Sequence, residues 1–307
     1  MIGDGMETIS DTPVYGSLNE ALLGICGEEV NVIERKAVHG GDANDAYKLI
    51  LSNGKALFIK SNSVERADFF RAEAEGIAAI RTTKALRVPC IHAVGTDSDY
   101  SFLLMEYIES VRPERDFWEK LGTGLARMHQ ADTSPFVKTG KYGLDKDNYI
   151  GAGSQKNTAM DRWTQFFAEC RLRPQFELAS RYFDTDFIRK IERLLERLDR
   201  YLIEPEKPAL LHGDLWSGNF MSDGKGQPML IDPAVYVGCN EADIAMTELF
   251  GGFDRRFYDS YFGSMGVIPG YEDRRDLYNL YHLLNHLNLF GSSYLYAVVR
   301  IVERYSG

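Results

Sequence analysis

The chain reads Leu-Leu-His-Gly-Asp-Leu-Trp-Ser-Gly-Asn at residues 210–219 and Pro-Met-Leu-Ile-Asp at residues 228–232. The first segment contains a carboxylate, Asp214, and an amide, Asn219, and the second ends on another carboxylate, Asp232. The segment Ser-Asp-Gly-Lys-Gly between them favours a turn, and the flanking apolar runs are short enough to pair as strands. A β-hairpin of this length would return Asp232 to the side of Asn219 and Asp214.

This spacing of carboxylates and amide suits phosphoryl transfer from a nucleotide. Magnesium, which accompanies the phosphates, prefers oxygen ligands, and one carboxylate with one amide carbonyl can hold it. The acceptor hydroxyl needs a further carboxylate to orient it and take its proton. We therefore expect Asp214 to be the catalytic base and Asn219 and Asp232 to be magnesium ligands. The alternative is that all three are ordinary turn or cap residues.

The composition is that of a soluble globular enzyme, with 307 residues, of which 44% are hydrophobic and 26% charged. This length allows one large domain or two lobes. The formal net charge of −10 argues against a general nucleic-acid binder, because no extended basic surface is available to follow phosphates. No run approaches the roughly 18 apolar residues of a membrane span, so we expect no membrane insertion.

The beginning of the sequence, Met-Ile-Gly-Asp-Gly-Met-Glu, lacks the basic and apolar segments of a secretion signal. The four cysteines, Cys26, Cys90, Cys170 and Cys239, are scattered and include no Cys-x-x-Cys pair. This pattern favours neither a zinc site nor a disulfide framework. We expect a cytoplasmic protein, since a reducing compartment suits such cysteines.

Alternating sequence predicts three strands in the N-terminal part, at residues 30–38, 46–51 and 55–60. Asn53-Gly54 predicts a hairpin turn between the second and the third. Gly40 and Gly41 lie between the first two strands. Their backbone amides could lie against phosphates, because glycine allows close approach. A plain hairpin turn would have the same sequence, so both interpretations stay open.

Lys60 closes the third of these strands, and a helix from about Arg66 to Thr82 follows it. A lysine that contacts phosphates needs a carboxylate to fix its ammonium group. Phe70 helps define the buried face of the helix, and Glu73 lies three residues further on, so we favour Glu73 over Glu75 as the partner. The alternative for Lys60 is a solvated strand end.

An apolar strand is predicted at residues 101–107, and the chain leaves the sheet at Glu106, Tyr107 and Ile108. In a two-lobed nucleotide enzyme, such a connector offers backbone groups to the adenine edge. We place the lobe boundary here, with a phosphate-binding lobe at residues 1–108 and a lobe with the catalytic hairpin and acceptor site at residues 109–307. The second lobe is predicted to be mostly helical, with one helix from Trp163 to Ser180.

His282 and His286 lie four residues apart on the last long helical segment, a spacing that could bind a metal. No third ligand is evident, so aromatic core packing is favoured. Either histidine could still face a substrate pocket. His129, on another helix-periodic segment, is expected to be packed or capping.

Four segments, which we call family-specific, carry a resemblance to one known family. They are residues 210–219, residues 230–236 (Leu-Ile-Asp-Pro-Ala-Val-Tyr), residues 241–253 (Glu-Ala-Asp-Ile-Ala-Met-Thr-Glu-Leu-Phe-Gly-Gly-Phe) and residues 142–151 (Tyr-Gly-Leu-Asp-Lys-Asp-Asn-Tyr-Ile-Gly). With these segments the chain resembles the fructosamine (ketosamine) 3-kinase family from about residue 40 onward. His-Gly-Asp with Asn219 and Asp232 is shared with aminoglycoside and choline kinases, so that part identifies only the superfamily.

The resemblance implies an α+β, protein-kinase-like, two-lobed fold, with a small antiparallel-sheet N-lobe and a larger, mainly helical C-lobe. It implies ATP and Mg²⁺ as cofactors and phosphorylation of the sugar 3-hydroxyl of a ketosamine, either a small molecule or a glycated lysine. The product then decomposes and frees the amine, which is a deglycation repair role. By position, Lys60 and Glu73 position the phosphates, Asp214 is the base, and Asn219 and Asp232 hold magnesium.

Trp216 lies where the family's segment faces the acceptor, with packing under the loop as the alternative. Glu241 and His286 are further candidates for contact with the acceptor. The chain departs from relatives at Cys239-Asn240, where His-Arg is frequent, and at Asp42, where some relatives have cysteine. The first departure puts an arginine contact in doubt, and the second gives no basis for a redox switch.

Two other functions remain open. One is a kinase for another amine-bearing acceptor, such as an aminoglycoside, choline or an amino sugar. The other is a nucleotide-binding pseudokinase, against which the intact lysine, base and metal ligands argue. The sequence leaves open which ketosamine sugar is preferred, whether it is free or protein-bound, and the oligomeric state.

Overall fold

The structure, a computed structural model, describes residues 12–38 and 44–307. Strands and helices alternate at first, and helices dominate later. In chain order the strands are β1 (Val14–Tyr15), β2 (Val32–Ala37), β3 (Asp45–Leu51), β4 (Ala56–Ser63), β5 (Ile91–Asp97), β6 (Tyr100–Glu106), β7 (Asn148–Ile150), β8 (Gly153–Gln155), β9 (Ala209–Leu211), β10 (Phe220–Ser222), β11 (Pro228–Leu230) and β12 (Tyr236–Gly238). The α-helices are α1 (Leu18–Cys26), α2 (Ala67–Thr82), α3 (Phe117–His129), α4 (Trp163–Phe166), α5 (Arg173–Leu178), α6 (Thr185–Glu196), α7 (Glu241–Leu249), α8 (Arg255–Met265), α9 (Tyr271–Phe290) and α10 (Leu295–Tyr305).

The described residues form two compact units. The first runs to Leu121 and also takes in Gly218–Pro233, and the second comprises Gly122–Ser217 and Ala234–Gly307. This division differs from the boundary expected after residue 108, because the hairpin β10–β11 pairs with Arg87 of the first unit and the start of α3 packs on the hairpin. The ring of Phe220 in β10, for example, lies 5.4 Å from that of Trp118 in α3.

A six-stranded sheet forms most of the first unit, in the order β1-β5-β6-β4-β3-β2. Neighbouring strands are antiparallel except for β1, which is parallel to β5. The predicted hairpin at Asn53-Gly54 joins β3 and β4, with Leu49 opposite Leu57. The predicted strands are therefore confirmed, and the short β1 is an addition to them.

The sheet is covered on both faces at β6, whose interior residues are buried, whereas the edge strand β2 is exposed. Alternate residues of β6 join different clusters, because successive side chains of a strand point to opposite faces. Leu104 packs in the cluster that contains Leu22 of α1, whereas Leu103 packs with Phe70 of α2. Full burial of a side chain such as Phe70 contributes about 1.5–3 kcal/mol, so α2 is held firmly against the sheet.

The second unit is mainly helical and is organised around α9, which has 20 residues. Leu277, Leu280, Leu284 and Leu287 recur at helical spacing and are fully buried. Helices α7 and α10 pack against α9. Two short antiparallel pairs complete the unit: β9 with β12, in which Leu211 faces Tyr236, and β7 with β8.

The helix predicted from Trp163 to Ser180 is interrupted. Helix α4 is followed by a wider, π-helical turn at Phe167–Leu172 and then by α5, with Pro174 in its first turn. Proline cannot donate to the preceding turn, which explains why the regular helix restarts there. Among the described residues, none of the helices is both long enough and apolar enough to cross a bilayer.

Candidate active site

Lys60 lies between two carboxylates of the first unit. Its Nζ is 2.7 Å from Oε1 of Glu73 and 2.6 Å from Oδ1 of Asp232. Strand β4 continues to Ser63, so Lys60 is an interior strand residue and not the strand end that we predicted. Glu73 lies on the buried face of α2 one turn after Phe70, whereas Glu75 is only half-buried. The predicted ion pair between Lys60 and Glu73 is therefore present.

The electrostatics keep this lysine charged. Burial by itself would lower the pKa of Lys60, but the carboxylates of Asp232 and Glu73 outweigh it and raise that pKa above its usual value. Burial raises the pKa of Glu73, and Lys60 opposes that rise. One ammonium group thus faces two acidic side chains, which leaves room for further positive charge.

Strands β10 and β11 form the predicted hairpin, with Phe220 opposite Leu230. Beyond this pair, the N–H of Ile231 donates to the carbonyl of Asn219 at 3.0 Å. The amide of Asn219 donates to the carbonyl of Asp232 at 3.5 Å. Asp232 has φ of 52°, a left-handed conformation that a non-glycine residue adopts at some cost. The hairpin therefore places Asn219 and Asp232 side by side at its open end.

These two residues fit a magnesium ion. Both supply side-chain oxygens, the ligand type that Mg²⁺ prefers, and Mg²⁺ needs few protein ligands because it keeps several waters. Asp232 already forms an ion pair with the ammonium group of Lys60 in this structure. Its side chain is 40% exposed, so water can complete a coordination shell.

The connector at the end of β6 is tied to the segment before β5. The N–H of Glu106 donates to the carbonyl of Cys90 at 2.9 Å, and its carboxylate accepts from the N–H of Cys90 at 2.8 Å. The N–H of Glu106 is thus engaged and is not available to the adenine edge. The ammonium of Lys48 lies 3.9 Å above the ring of Tyr107. Gly40 and Gly41 lie outside the described residues.

Asp214 belongs to the second unit, at the end of a tightly held loop. Gly213 has φ of 81°, and a Cβ there would clash with the carbonyl of Ala234, so only glycine fits. The N–H of Ala234 in turn donates to the carbonyl of His212 at 2.8 Å. Asp214 is half-buried, and its own N–H donates to Nδ1 of His212 at 3.3 Å.

Asp243, which we did not single out from the sequence, anchors this loop. Its carboxylate accepts from the N–H of His212 at 2.7 Å and from that of Gly213 at 2.9 Å. His129 lies with Nε2 3.1 Å from the same carboxylate. Burial would raise the pKa of Asp243, but the hydrogen bond from His129 and the neighbouring groups outweigh it and hold that pKa low. The available signal in the sequence was an acidic residue between the apolar residues Ala242 and Ile244.

His129 is a hydrogen-bonded core histidine, in agreement with the packed role expected for it. Its Nδ1 lies 2.8 Å from the hydroxyl of Tyr261, which accepts from the amide of Asn240 at 2.8 Å. Asn240 belongs to the Cys239-Asn240 pair, at which we noted a departure from the family pattern. In this chain it therefore closes a buried chain of hydrogen bonds that ends on Asp243.

The segment at residues 142–151, which is part of the family resemblance, contacts the chain that follows Asp232. Asn148 donates to the carbonyl of Val235 at 2.8 Å, and Gln155 donates to that of Ala234 at 3.1 Å. Behind them, the fully buried Arg171 lies 3.8 Å from the ring centre of Tyr236. These contacts satisfy buried carbonyls that would otherwise be costly.

Two of the predicted acceptor contacts share a neighbour. Trp216, 39% exposed, and Phe250 form a T-shaped ring pair with 6.5 Å between centroids. Phe250 stacks on His286, with 4.9 Å between centroids and 8° between planes. Burial lowers the pKa of His286, so its imidazole is neutral near pH 7. We call Trp216, Phe250 and His286 the aromatic platform.

Glu241 has different surroundings. It is buried, and its two carboxylate oxygens accept from Arg274 at 2.8 and 2.6 Å. A paired buried carboxylate of this kind is held in place on both oxygens. The geometry therefore favours a structural role for Glu241 at the start of α7 over the acceptor contact that we predicted.

The first unit contains the residues that we predicted to contact phosphates and magnesium, Lys60, Glu73, Asn219 and Asp232. The second contains the predicted base, Asp214, and the aromatic platform. In this structure a helix glutamate fixes a strand lysine, and one hairpin supplies a carboxylate and an amide. This arrangement is the one found in phosphotransferases of protein-kinase-like fold. Comparison with known proteins narrows this class. The sequence profile of the fructosamine kinase family matches residues 16–306, and the chain belongs to that family.

Individual relatives agree with this assignment. A probable ketoamine kinase of Synechocystis is 42% identical over 273 residues, covering 87% of this chain and 88% of the relative. The chloroplastic protein-ribulosamine 3-kinase of Oryza sativa subsp. japonica is 40% identical over 286 residues, covering 91% and 80%. The crystal structure of a putative fructosamine-3-kinase from Haemophilus somnus superposes with a TM-score of 0.83 at 26% identity, covering 94% of this chain and 96% of that chain.

Proposed function

We propose that the chain is an ATP- and magnesium-dependent ketosamine 3-kinase. It transfers the terminal phosphoryl group of ATP to the sugar 3-hydroxyl of a fructosamine- or ribulosamine-type adduct, including adducts on lysine. The observation that carries this proposal is the position of Lys60 between Glu73 and Asp232. It gives the phosphates a fixed cation and leaves the cluster able to accept a metal, in a chain whose relatives are named for ketoamine substrates.

On the donor side, the ammonium of Lys60 contacts the phosphates while Glu73 holds it in place. Asn219 and Asp232 would hold magnesium, which neutralises charge on the phosphate oxygens when bound. The backbone of Tyr107 and Ile108 offers hydrogen bonds to the adenine edge. Gly40 and Gly41 remain predicted phosphate contacts.

On the acceptor side, Asp214 takes the proton of the sugar 3-hydroxyl as its oxygen attacks the terminal phosphorus. The bond from that phosphorus to the bridging oxygen breaks, and ADP leaves with the electron pair. Asp243 fixes the backbone of the loop before Asp214, so the base is positioned before the substrate arrives. The 3-phosphate product then decomposes and releases the amine.

The aromatic platform suits such an acceptor. Aromatic faces pack against the C–H groups of a sugar and attract a nearby ammonium group. Because the pKa of His286 is lowered, its neutral ring does not repel an amine-bearing substrate.

All four cysteines are free thiols, which supports our expectation of a reducing cytoplasm as the place of action.

The test is ATP consumption with magnesium against fructosyl-lysine, ribulosyl-lysine, an aminoglycoside and choline, with Asp214→Asn as the control. Turnover of a ketosamine that disappears in Asp214→Asn is the expected result and would rank the sugars. Turnover of only an aminoglycoside or choline would remove the deglycation role and leave a kinase of another amine-bearing acceptor. Nucleotide binding without any turnover would favour a pseudokinase.

A further inference from the structure

Arg87 connects two parts of the first unit that the proposed function assigns to the nucleotide. Its Nη1 lies 2.6 Å from Oδ2 of Asp223, in the turn of the hairpin β10–β11. Its Nη2 lies 3.0 Å from Oε2 of Glu106, where β6 becomes the connector. We propose that Arg87 is a positioning residue that sets the affinity for magnesium-bound ATP by fixing the metal-binding hairpin against the connector. This inference rests on the proposed donor site.

The hairpin end of the link is rigid. Oδ1 of Asp223 accepts from the N–H groups of Lys225 and Gln227 at 2.8 and 2.9 Å, so the same carboxylate closes the turn and binds Arg87. Only 4% of the Asp223 side chain is exposed. Loss of Arg87 would leave this buried carboxylate without its cation, and the turn would have to move to solvate it.

The backbone of Arg87 holds the same hairpin a second time. Its carbonyl accepts from the N–H of Leu230 at 2.9 Å, and Arg87 pairs with Met229 in a parallel bridge. Leu230 is two residues before Asp232. A shift of the turn is therefore transmitted along β11 to the open end, where Asn219 and Asp232 lie side by side.

The connector end is also fixed through Glu106. Its second carboxylate oxygen, Oε1, accepts from the N–H of Cys90 at 2.8 Å, so Glu106 joins Arg87 to the segment that precedes β5. Without Arg87, Glu106 and Asp223 become two uncompensated acids on the unit that binds an anionic nucleotide. Misplacement of the metal ligands and repulsion of the phosphates both weaken binding.

The test measures binding of a non-hydrolysable ATP analogue by calorimetry, with magnesium and with EDTA. In Arg87→Met, Kd for the magnesium complex should rise about tenfold. The ratio of variant to wild-type Kd should shrink in EDTA, because the metal ligands then no longer contribute. Arg87→Lys, which keeps the charge, should recover part of the affinity.

Arg173→Met is the matched control, because Arg173 also bridges two acids, Glu169 and Glu192, with a partly exposed side chain, but in the second unit. It should leave nucleotide Kd unchanged. Asp223→Asn removes the same ion pair from the other side and should also raise Kd for the magnesium complex. It provides a second test if Arg87→Met folds poorly. In turnover assays, KM for ATP should rise in Arg87→Met while KM for the acceptor stays the same.

An Arg87→Met protein that binds the magnesium complex as tightly as wild type would overturn the inference, as would an equal rise in acceptor KM. Wild type that binds nucleotide but phosphorylates no ketosamine would remove the proposed acceptor and leave the Arg87 result valid. Wild type that binds no nucleotide would overturn both.

Discussion

Lys60 and Asp232 form an ion pair with 2.6 Å between Nζ and Oδ1. The carboxylate that we assign to magnesium is therefore neutralised by the lysine that we assign to the phosphates. A single network thus links the two donor-side contacts, and each can be tested by removal of one partner.

Lys60→Met should lower kcat/KM for ATP on the order of 10²-fold or more, because it removes a preorganised cation from the transferring phosphoryl group. The measurement is steady-state turnover over a range of ATP concentrations. Lys36→Met is the control, since Lys36 is a lysine of the same sheet paired with Glu34 on the surface. Equal activity of the two variants would contradict the role of Lys60.

Asp214→Asn should reduce kcat about 10²–10⁴-fold, the usual contribution of a general base, while the free energy of unfolding stays near that of wild type. Asn keeps the size of the side chain but takes up no proton at neutral pH. The measurements are turnover with a saturating ketosamine and urea unfolding. A variant that keeps its rate would show that Asp214 is not the base.

Asp243→Asn should lower both activity and stability, because an amide presents a donor to the N–H groups of His212 and Gly213. We expect a loss of about 1–3 kcal/mol in the free energy of unfolding, the cost of leaving a buried polar group without its partner. The comparison with Asp214→Asn is the decisive one. If Asp243→Asn lost activity with unchanged stability, Asp243 would act otherwise than as an anchor.

Phe250→Leu should raise KM for the acceptor about 2–10-fold, since an aromatic contact contributes about 0.5–1.5 kcal/mol, and should leave KM for ATP unchanged. Phe183→Leu is the matched control. Phe183 also stacks in the second unit, on Phe187 at 5.0 Å, and lies outside the aromatic platform. A rise in KM for ATP alone would place Phe250 on the donor side.

His282 should make the protein less stable in acid. Its burial, with smaller contributions from His286 and Arg171 and against the effect of Asp243, lowers its pKa from 6.5 to about 3. Between pH 6.5 and pH 3, His282 is therefore protonated in the unfolded chain and neutral in the folded chain. The free energy of unfolding consequently falls as pH falls from 6.5 toward 3. Between pH 7 and pH 5 this amounts to about 2 kcal/mol.

Urea unfolding of wild type and His282→Gln at these two pH values measures this contribution. The wild type should lose about 2 kcal/mol more than the variant between pH 7 and pH 5. Identical losses would show that His282 is not held neutral in the folded protein.

Local sequence patterns predicted much of the fold and part of the site. Asn53-Gly54 specifies its own hairpin, and the turn between β10 and β11 brings Asn219 next to Asp232. The pairing of Lys60 with Glu73 followed from helix spacing. Each of these depends on residues close in sequence or on one buried face.

The features that could not be predicted depend on contacts distant in sequence. Asp243 accepts a hydrogen bond from Gly213, 30 residues away, in the loop before the proposed base Asp214. Nothing in the sequence pattern of α7 identifies that partner. Glu241 was predicted to contact the acceptor because it lies in a family-specific segment. In the structure, Arg274 of α9 instead donates to both oxygens of its carboxylate. The assignment of the hairpin to the first unit depends on packing of Phe220 that no local signal reports.

The return of residues 218–233 to the first unit means that neither unit is a single uninterrupted stretch. A chimera that exchanges the acceptor-side residues of two relatives therefore needs crossovers on both sides of the hairpin, so that 122–217 and 234–307 are replaced and 218–233 is kept. The hairpin is then inherited with the sheet that it packs on. Substrate range can diverge by such exchange while the phosphoryl-donor machinery passes on unchanged.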